Sequence, residues 1–512
     1  MDLLSGLSEQ QRAAVTATEG YVRLTAGAGS GKTRTLAHRY AYLSEYMGIS
    51  PAHILCVTFT NKAAAEMRKR IRRLTGDSGT GMVSTFHGFC HRVLKEDIHV
   101  LGYPTTFLVM DKEDQKRTAH TVMERLGLKL QNKRVKQILD EIISPRKGDS
   151  LSYVGLFANT DGRALEESAV NAACEEDAIF YHYLYEQRKS FALDFDDLIY
   201  FVLYIFQLRP DIQKKWQERL EYIMVDEFQD VDDSEYSLVM RLAGKHRNLF
   251  IVGDPDQTIY SWRGSKVEYI VNFDKQFPTC QSLLLTANYR STPNIVNATN
   301  SLISKNTFRI DKTLTSQRSG GAQVVYNHAR GDEDEICWIA DRIEQHLREG
   351  APLSSIAVLY RAHHMTRLLE EELIKRSIPH RVYGNIAFYE REEVKDMLCY
   401  LRMLTAGDDI AFARVANKPR RRFGKSKMEQ LAQYAEEHGL TLFAAAKQCL
   451  AQDSPITSGS RIGEFIELID RVREESENRS ICDCMEELMT ASGYETMLRV
   501  NGDQDRLDNL AE

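Results

Sequence analysis

The sequence predicts an α/β protein in which parallel sheets are interrupted by large helical insertions. Three observations carry this expectation. Short apolar runs switch repeatedly, through a polar tip, into helical spacing. The first such switch is rich in glycine and ends in Lys-Thr. From about Asp111 to Leu220 the strand signals vanish and long charged amphipathic segments replace them.

Taken in order, Leu7 to Val15 (LSEQQRAAV) starts a helix, with Ser8 as its N-cap. Tyr21 to Leu24 then read as a buried strand running into AGAGSGKT. Ala26, Gly27, Ala28, Gly29, Ser30 and Gly31 are small, so their N–H groups can all turn inward. The helix that begins at Lys32 points its positive end at the same place. This arrangement suits a polyphosphate such as that of ATP: Lys32 reaches the β- and γ-phosphates and the Thr33 hydroxyl takes a position on Mg2+. The general pattern G-x-x-x-x-G-K-[ST] has glycine where this chain has Ala26. Gln11, upstream of the loop, can present its amide to an adenine edge, since a carboxamide both donates and accepts. Read alone, it is equally a solvent-facing glutamine.

Two more strand-to-helix switches follow. Ile54 to Phe59 (ILCVTF) stops at TNKAAAEMRKRIRRL, a helical and basic stretch, and Met82 to Thr85 lead into FHGFCHRVL. Ligands of open α/β sheets bind outside the carboxyl ends of the strands. The tips Phe59-Thr60-Asn61-Lys62 and Thr85-Phe86-His87 therefore fall on a functional edge. Phe59 and Phe86 also read as core residues, and His87 as a capping or packing histidine.

Within the helical stretch, LDFDDLIYF sets Asp194, Asp196 and Asp197 close together. The reading preferred over a metal site is a helix start, with Asp194 as N-cap and Asp197 in the first turn. Leu198 to Phe206, the longest apolar run, is far shorter than the ~20 residues that span a bilayer and reads as a buried helix. Tyr222 to Val225 return to a strand that runs into DEFQD, where Asp226 is placed to hold magnesium and Glu227 to polarise water. Leu249 to Val252 form a further strand that ends in GDPDQTIYSWRGS. Gln257 there can sense a γ-phosphate. Tyr260, Trp262 and Arg263 interleave aromatic faces with a cation, as single-stranded nucleic acid requires, and the polar neighbours of Trp262 favour its exposure.

A chain of 512 residues accommodates three or four domains. The net charge of −7 confines any nucleic-acid contact to local patches, and neither supports nor excludes DNA. The 9 cysteines are scattered, and Cys482 and Cys484 do not make a CxxC pair, so no zinc site, iron–sulfur cluster or disulfide framework is expected. MDLLSGLSEQQ lacks the features of a secretion signal. The expected setting is a reducing cytoplasm, away from membranes.

The chain resembles the superfamily 1 DNA helicases of the UvrD/PcrA/Rep family. AGAGSGKT, TFTNKAAAEM, STFHGFC, LDFDDL, VDEFQD, VGDPDQTIYSWRGS and NYRST occur in the family's order, and IAVLYR, YGNIAFYEREEVKD and ASGYETML extend the likeness to nearly the whole chain. Ala26 is normal in this family. The resemblance implies RecA-like domains and an ATP- and Mg2+-dependent motor that moves 3′ to 5′ on single-stranded DNA and opens duplexes at single-strand/double-strand junctions, in repair or replication. It also implies that Gln11 contacts adenine, that Arg34 and Tyr289 sandwich the base, and that Arg290 and Gln257 touch the γ-phosphate. Phe59 to Lys62, Thr85 to His87, Tyr260 to Arg263, and Tyr360 with Arg361 would line the DNA track, while PRRRFGKS (419–426) would approach duplex DNA.

On the family's template the first core domain comprises residues 1–110 and 221–285, with an insertion at 111–220. The second core domain begins at 286, and its own insertion spans 390–512. No T-x-H-x-x-K-G-x-E segment and no final arginine-bearing motif is found in the chain. The expectation is therefore that the C-terminal part of the second core domain is lacking. On that ground a second reading stands beside the motor: a nucleotide-gated single-strand-binding module with weak hydrolysis and no unwinding. A helicase–nuclease fusion finds no support, because no further acidic metal cluster is seen.

Overall fold

The structure, a computed structural model, describes residues 3–76, 79–128, 132–148, 151–361, 366–382, 391–405, 407–476, 479–501 and 503–511. Most of the YGNIAFYEREEVKD resemblance, residues 383–390, lies outside them. The chain divides into two compact units, Met1–Val324 and Val325–Glu512.

The first unit is built on a six-stranded sheet of β1 (Tyr21–Ala26), β2 (Ile54–Val57), β3 (Met82–Ser84), β4 (Tyr222–Val225), β5 (Asn248–Gly253) and β6 (Gln281–Leu285). The spatial order is β3-β2-β4-β5-β1-β6 and every pairing is parallel. Tyr21 lies opposite Leu249, and Ile54 opposite Tyr222. Helix α1 (Glu9–Thr16) precedes β1, and helices α2 (Lys32–Ala41), α3 (Asn61–Thr75) and α4 (Phe86–Asp97) complete the three strand-to-helix units read from the sequence.

Successive strand residues point to opposite faces. Val22, Leu24, Ile54, Cys56, Met224 and Val252 join a core with Leu36 and Tyr40 of α2 and Met67 and Ile71 of α3. Leu55, Val57, Ile223, Val225 and Ile251 join the opposite core with Phe89 and Val93 of α4 and with Phe201 and Trp216 of the insertion. Burial on both faces explains why these strands read as continuous apolar runs rather than alternating ones. Arg23, inside β1, is the exception. Its guanidinium is buried, donates to the carbonyls of Ile270 and Val271, and pairs with Asp274 at 2.5 Å.

Between 111 and 220 the described residues form helices, including Lys112–Arg125, Glu175–Lys189, Phe195–Leu208 and Pro210–Arg219, with one short strand, Ala192–Leu193, paired to Leu108–Val109. Asp194 is the N-cap of Phe195–Leu208, accepting from the Asp197 N–H at 3.0 Å, while the Asp197 carboxylate accepts from the Asp194 N–H at 2.9 Å. Between the two carboxylates lies the buried Lys147, whose Nζ donates to Asp194 at 2.6 Å and to Asp197 at 2.8 Å. The acidic cluster is thus a helix cap neutralised by a lysine, and among the described residues no group of three His, Cys, Asp or Glu could hold a metal ion. Leu198 to Phe206 lie in this buried helix, and none of the described helices is long and apolar enough to cross a membrane.

After β6, Ala287–Asn288 pairs in parallel with Thr315–Ser316. In the second unit, helices Asp332–Arg348 and Thr366–Lys375 pack through Ile343, Leu373 and Ile378. Ile356 to Tyr360 take no strand assignment. Helices from Glu392–Thr405 to Gln504–Ala511 enclose a separate core around Tyr400, Phe412, Phe465 and Tyr494.

One cap of the first unit makes stability depend on pH. Asp232 and Glu235 form a capping box at the helix Asp233–Ala243, and Glu235 is buried. Burial first, and then the charge of Asp232, push the Glu235 carboxyl up to about 8. Folded Glu235 keeps a proton that the unfolded chain releases near the ordinary carboxylate range, so stability falls as pH rises from that range to about 8. Glu235→Gln is expected to flatten this slope by up to about 1.4 kcal/mol per pH unit. Urea denaturation across that range checks this; a slope identical to the parent's would refute it.

Candidate functional site

The loop after β1 closes into a cradle. Gly29 and Gly31 have φ of +70° and +88°, in the left-handed region that favours glycine. A Cβ on Gly29 would fall 2.7 Å from the Arg290 Cβ, and one on Gly31 2.7 Å from the Gln11 Nε2. Not every loop N–H turns inward as the sequence suggested. Gly27 donates to the Leu285 carbonyl and Ser30 to the Gly27 carbonyl, which locks the loop to β6 and to itself. The amides of Ala28, Gly29, Gly31, Lys32 and Thr33 find no acceptor among the described residues and remain as donors for an anion at the α2 N-terminus.

Ala26 ends β1 opposite Leu285 and is buried. Ser8 caps α1 as expected, and Gln11, also buried, closes the capping box. The Gln11 amide donates to the Ser30 carbonyl at 2.9 Å and accepts from the Ser8 N–H at 3.2 Å, so Gln11 braces the loop; one N–H and one lone pair of the amide remain for another group.

A residue the sequence reading passed over closes the other side. Asn288 donates to the Ala28 carbonyl at 2.7 Å and accepts from the N–H groups of Arg290 and Ser291, while the Tyr289 N–H donates to the Gly29 carbonyl. The NYRST segment is thereby fastened to the phosphate loop. Tyr289 and Arg290 are exposed beside it, as is Arg34, whose guanidinium holds the Gly6 carbonyl at 3.0 Å. The signal for Asn288 was its place at the head of NYRST, directly after a strand.

Asp226 and Glu227 stand at the carboxyl end of β4. Lys32 Nζ donates to Glu227 Oε2 at 2.7 Å, joining the loop to this acid. Glu227 has φ +51° and ψ +46°, a left-handed conformation that is costly for a glutamate and clusters at functional sites. Burial first, then the charge of Glu227, raise the Asp226 carboxyl to about 7, against the opposing charge of Lys32. Gln229 donates to Glu227 at 3.0 Å and accepts from the Asp254 N–H at 2.9 Å. The Asp254 carboxylate in turn accepts from the Gln257 amide at 2.6 Å and from Lys312 Nζ at 2.7 Å. Lys312 also pairs with Asp256, which Arg309 approaches to 3.3 Å. A continuous path therefore runs from Lys32 to Gln257, and Gln229, Lys312 and Arg309 were not identified from the sequence. Gln229 lay inside VDEFQD, but nothing in the spacing signalled that Lys312 folds back onto Asp254.

The neighbouring strand ends carry the aromatic edge. Phe59, half-buried after β2, lies 4.8 Å from Tyr260 between ring centroids, and Tyr260 lies 6.3 Å from Trp262. Arg263 sits over both Tyr260 and Trp262, at 5.3 and 4.9 Å. Trp262 is 70% exposed, so its ring is open to a partner. Thr60 caps α3, and Asn61 and Lys62 are exposed in its first turn. Thr85 caps α4, and His87 is half-buried edge-on to Phe195, with burial lowering its pKa. Of the two readings of Phe86, the structure favours the core: at 4% exposure it packs beneath α4 rather than on the open edge.

Tyr360, half-buried, and the exposed Arg361 belong to the second unit. In PRRRFGKS the central arginine is structural. Arg421 is buried, donates to the Val415 carbonyl and the Tyr400 hydroxyl, and lies over Phe465 at 5.0 Å. Arg420 and Arg422 alone of the three face solvent.

A phosphate loop, two acids at a strand end one strand removed and, from the strand between them, a polar sensor loop, all on one edge of a parallel sheet, define a P-loop nucleotide-binding protein. The family comparisons narrow this class. Residues 7–278 match the UvrD/REP helicase N-terminal domain and residues 283–503 the UvrD-like helicase C-terminal domain. A protein of Leuconostoc citreum named ATP-dependent DNA helicase PcrA is 37% identical over 519 residues, spanning 100% of this chain and 68% of that protein. Proteins of the same name from Staphylococcus epidermidis and Staphylococcus aureus are each 35% identical, spanning 100% of this chain and 69% of theirs. The chain belongs to the UvrD/REP helicase family. The match over 283–503 overturns the expectation that the C-terminal part is lacking: the C-terminal domain is present, and the absence of two short motifs was too narrow a basis for the opposite view.

Lys312→Met would leave Asp254 and Asp256 buried with one cation fewer. It is expected to destabilise the first unit by about 3 kcal/mol or more, the scale for breaking a buried ion pair. Chemical denaturation measures this, and a stability equal to the parent's would show that the buried pair is dispensable.

Proposed function

We propose that this chain, an ATP-hydrolysing helicase of the UvrD/REP family, moves 3′ to 5′ along single-stranded DNA and uses that movement to open single-strand/double-strand junctions, in cytoplasmic repair or replication of DNA. The observation that carries the reading is the shared edge. The cradle formed by Ala28 to Thr33 and the aromatic set Phe59, Tyr260 and Trp262 lie at carboxyl ends of one sheet. The Lys32–Glu227–Gln229–Asp254–Gln257 path enters the same loop that carries Tyr260 and Trp262.

In this reading the backbone amides and Lys32 bind the phosphates, Arg34 and Tyr289 flank the base, and Gln11 addresses its edge. Glu227 orients and deprotonates the attacking water, and Gln257 and Arg290 meet the γ-phosphate. The Thr33 hydroxyl and the Asp226 carboxylate supply two hard oxygen donors, a set that suits Mg2+, which takes its remaining ligands from phosphate and water. When bound, the ion offsets phosphate charge. Phe59, Thr60, Asn61, Lys62, Thr85, His87, Tyr260, Trp262 and Arg263 form the strand's path in the first unit; in the second unit, taken by itself, Tyr360 and Arg361 are its DNA contacts. The domain limits proposed are those of the family template: 1–110 and 221–285, 286–389, and insertions at 111–220 and 390–512.

Steady-state ATP hydrolysis with and without single-stranded DNA tests the site. Lys32→Ala should abolish tight ATP binding. Glu227→Gln should keep ATP binding and lose roughly 10²- to 10⁴-fold in turnover, the usual range for a general base; full turnover would remove Glu227 from that role. Trp262→Ala should weaken single-strand binding by about 1 to 3 kcal/mol, and unchanged affinity would take Trp262 off the track. Direction is read from partial duplexes: a 3′-tailed substrate should be unwound and a 5′-tailed one left intact, and the reverse preference would refute the polarity.

A further inference from the structure

Helix α3 begins at the proposed DNA edge and carries more positive charge than its position requires. It spans Asn61–Thr75, with Ala64, Met67 and Ile71 buried against the sheet. On the opposite face Lys62, Lys69, Arg72 and Arg73 are exposed; Lys69 and Arg72, three apart, are neighbours on the helical surface, and Lys62 lies two turns before Lys69 on the same side. From Lys62 to Arg73 the stripe runs about 16 Å, at a rise of about 1.5 Å per residue. The one acid within it, Glu66, is neutralised by Arg70 at 2.5 Å. Arg68 is directed inward to the Val83 carbonyl. Lys62, Lys69, Arg72 and Arg73 have no ion-pair partner among the described residues. With Ala65 and Arg68, Lys69, Arg72 and Arg73 line a shallow depression of about 470 Å³.

Helix stability alone does not account for this. Arg72 and Arg73 in the last turn complement the helix dipole, but Lys62 in the first turn opposes it. The molecule as a whole carries a net charge of −7, so four unpaired cations on one face are a local departure from the average. Their line is continuous with Thr60, Asn61 and Lys62, which the proposed function places on the strand's path.

We propose that the exposed face of α3 is an extension of the DNA track, on which the sugar-phosphate backbone of the single strand continues beyond the aromatic edge onto Lys69, Arg72 and Arg73. The contact is electrostatic and independent of sequence. It rests on the reading that Phe59 to Lys62 and Tyr260 to Arg263 bind single-stranded DNA. A strand long enough to leave the aromatic edge gains the stripe; a strand that ends there does not.

The test compares oligothymidines of about 8 and about 24 nucleotides, chosen to bracket the site sizes usual for single-strand grooves, on the full chain and on the triple variant Lys69→Ala/Arg72→Ala/Arg73→Ala. For the longer strand the variant is expected to bind roughly tenfold or more weakly at low salt, with the slope of log affinity against log salt shallower by about 2, three contacts at about 0.7 each. The short strand should bind as it does to the parent. A second variant, Lys69→Arg/Arg72→Lys/Arg73→Lys, should keep parental binding at both lengths because only charge is needed. Equal affinities of the alanine variant and the parent for the long strand would overturn the proposal and leave the stripe to another anionic partner, such as an acidic protein. Equal losses at both lengths would also overturn it, placing the effect in the main track. Trp262→Ala serves as the separate control: failure of the parent and this variant to differ at either length would fault the underlying track, whatever α3 does.

Discussion

Asp254 is the junction on which the site depends. Only 2% exposed, it holds four partners at once: its N–H is taken by Gln229, one carboxylate oxygen by Gln257 and the other by Lys312 and the Asp256 N–H. A buried carboxylate persists only where cations and donors replace the water it has lost. Lys312 supplies the cation, itself 3% exposed in its side chain and shared with Asp256. The loop that carries Gln257 and, a few residues on, Tyr260 and Trp262 is thereby anchored at its root. Gln229 connects that root to Glu227, and Glu227 to Lys32. Lys32, Glu227, Gln229 and Asp254 are thus joined contact by contact. Such a contiguous hydrogen-bonded path is one physical route by which the phosphate loop and the aromatic loop can be coupled.

Backbone conformation is used in the same economical way. Gly29 and Gly31 occupy left-handed positions where Arg290 and Gln11 come too close for a side chain, so the loop can be closed down upon by NYRST on one side and α1 on the other. Glu227 takes a left-handed conformation without being glycine. The conformation persists because its carboxylate is fixed by Lys32 and Gln229 and the following N–H groups turn into a short helix, Phe228–Asp230. Strain held in this manner at a strand end fits a side chain that must be aimed rather than packed.

Much of this was legible in the sequence because local chemistry decided it. Ser8 and Asp194 cap the helices expected of them, since a short acceptor before an apolar period has few other uses. The strands ending at Ala26, Val57, Ser84 and Val225 were visible as apolar runs, and their parallel order followed from the repeated switch into helix. Long-range pairing was not legible. Lys312 meets Asp254 across 58 positions of sequence and carried no periodic or motif signal. Arg421 misled for the opposite reason: it lies between the exposed Arg420 and Arg422, yet it is enclosed by carbonyls and the Phe465 ring, while Phe86, read both as core and as track, is on the inward face of α4. Type and motif say what a side chain can do, but the direction of one Cβ decides whether it meets solvent or core.

The distribution of charge follows the same logic. A net charge of −7 repels a nucleic acid at long range, so affinity must come from surfaces where cations stand without acidic partners. Several other arginines and lysines are committed to acids: Arg23 to Asp274, Lys147 to Asp194 and Asp197, Lys215 to Asp97, Arg402 to Asp408, Arg414 to Asp396. Arg263, stacked on Tyr260 and Trp262, and the outer face of α3 are the contrast. Arg263 adjoins the carboxyl ends of the central sheet, the edge where the phosphate loop also stands, and the α3 stripe starts there at Lys62 and runs back along the helix toward the amino ends. In a molecule of net negative charge, such local groups of cations are where an anionic polymer finds attraction.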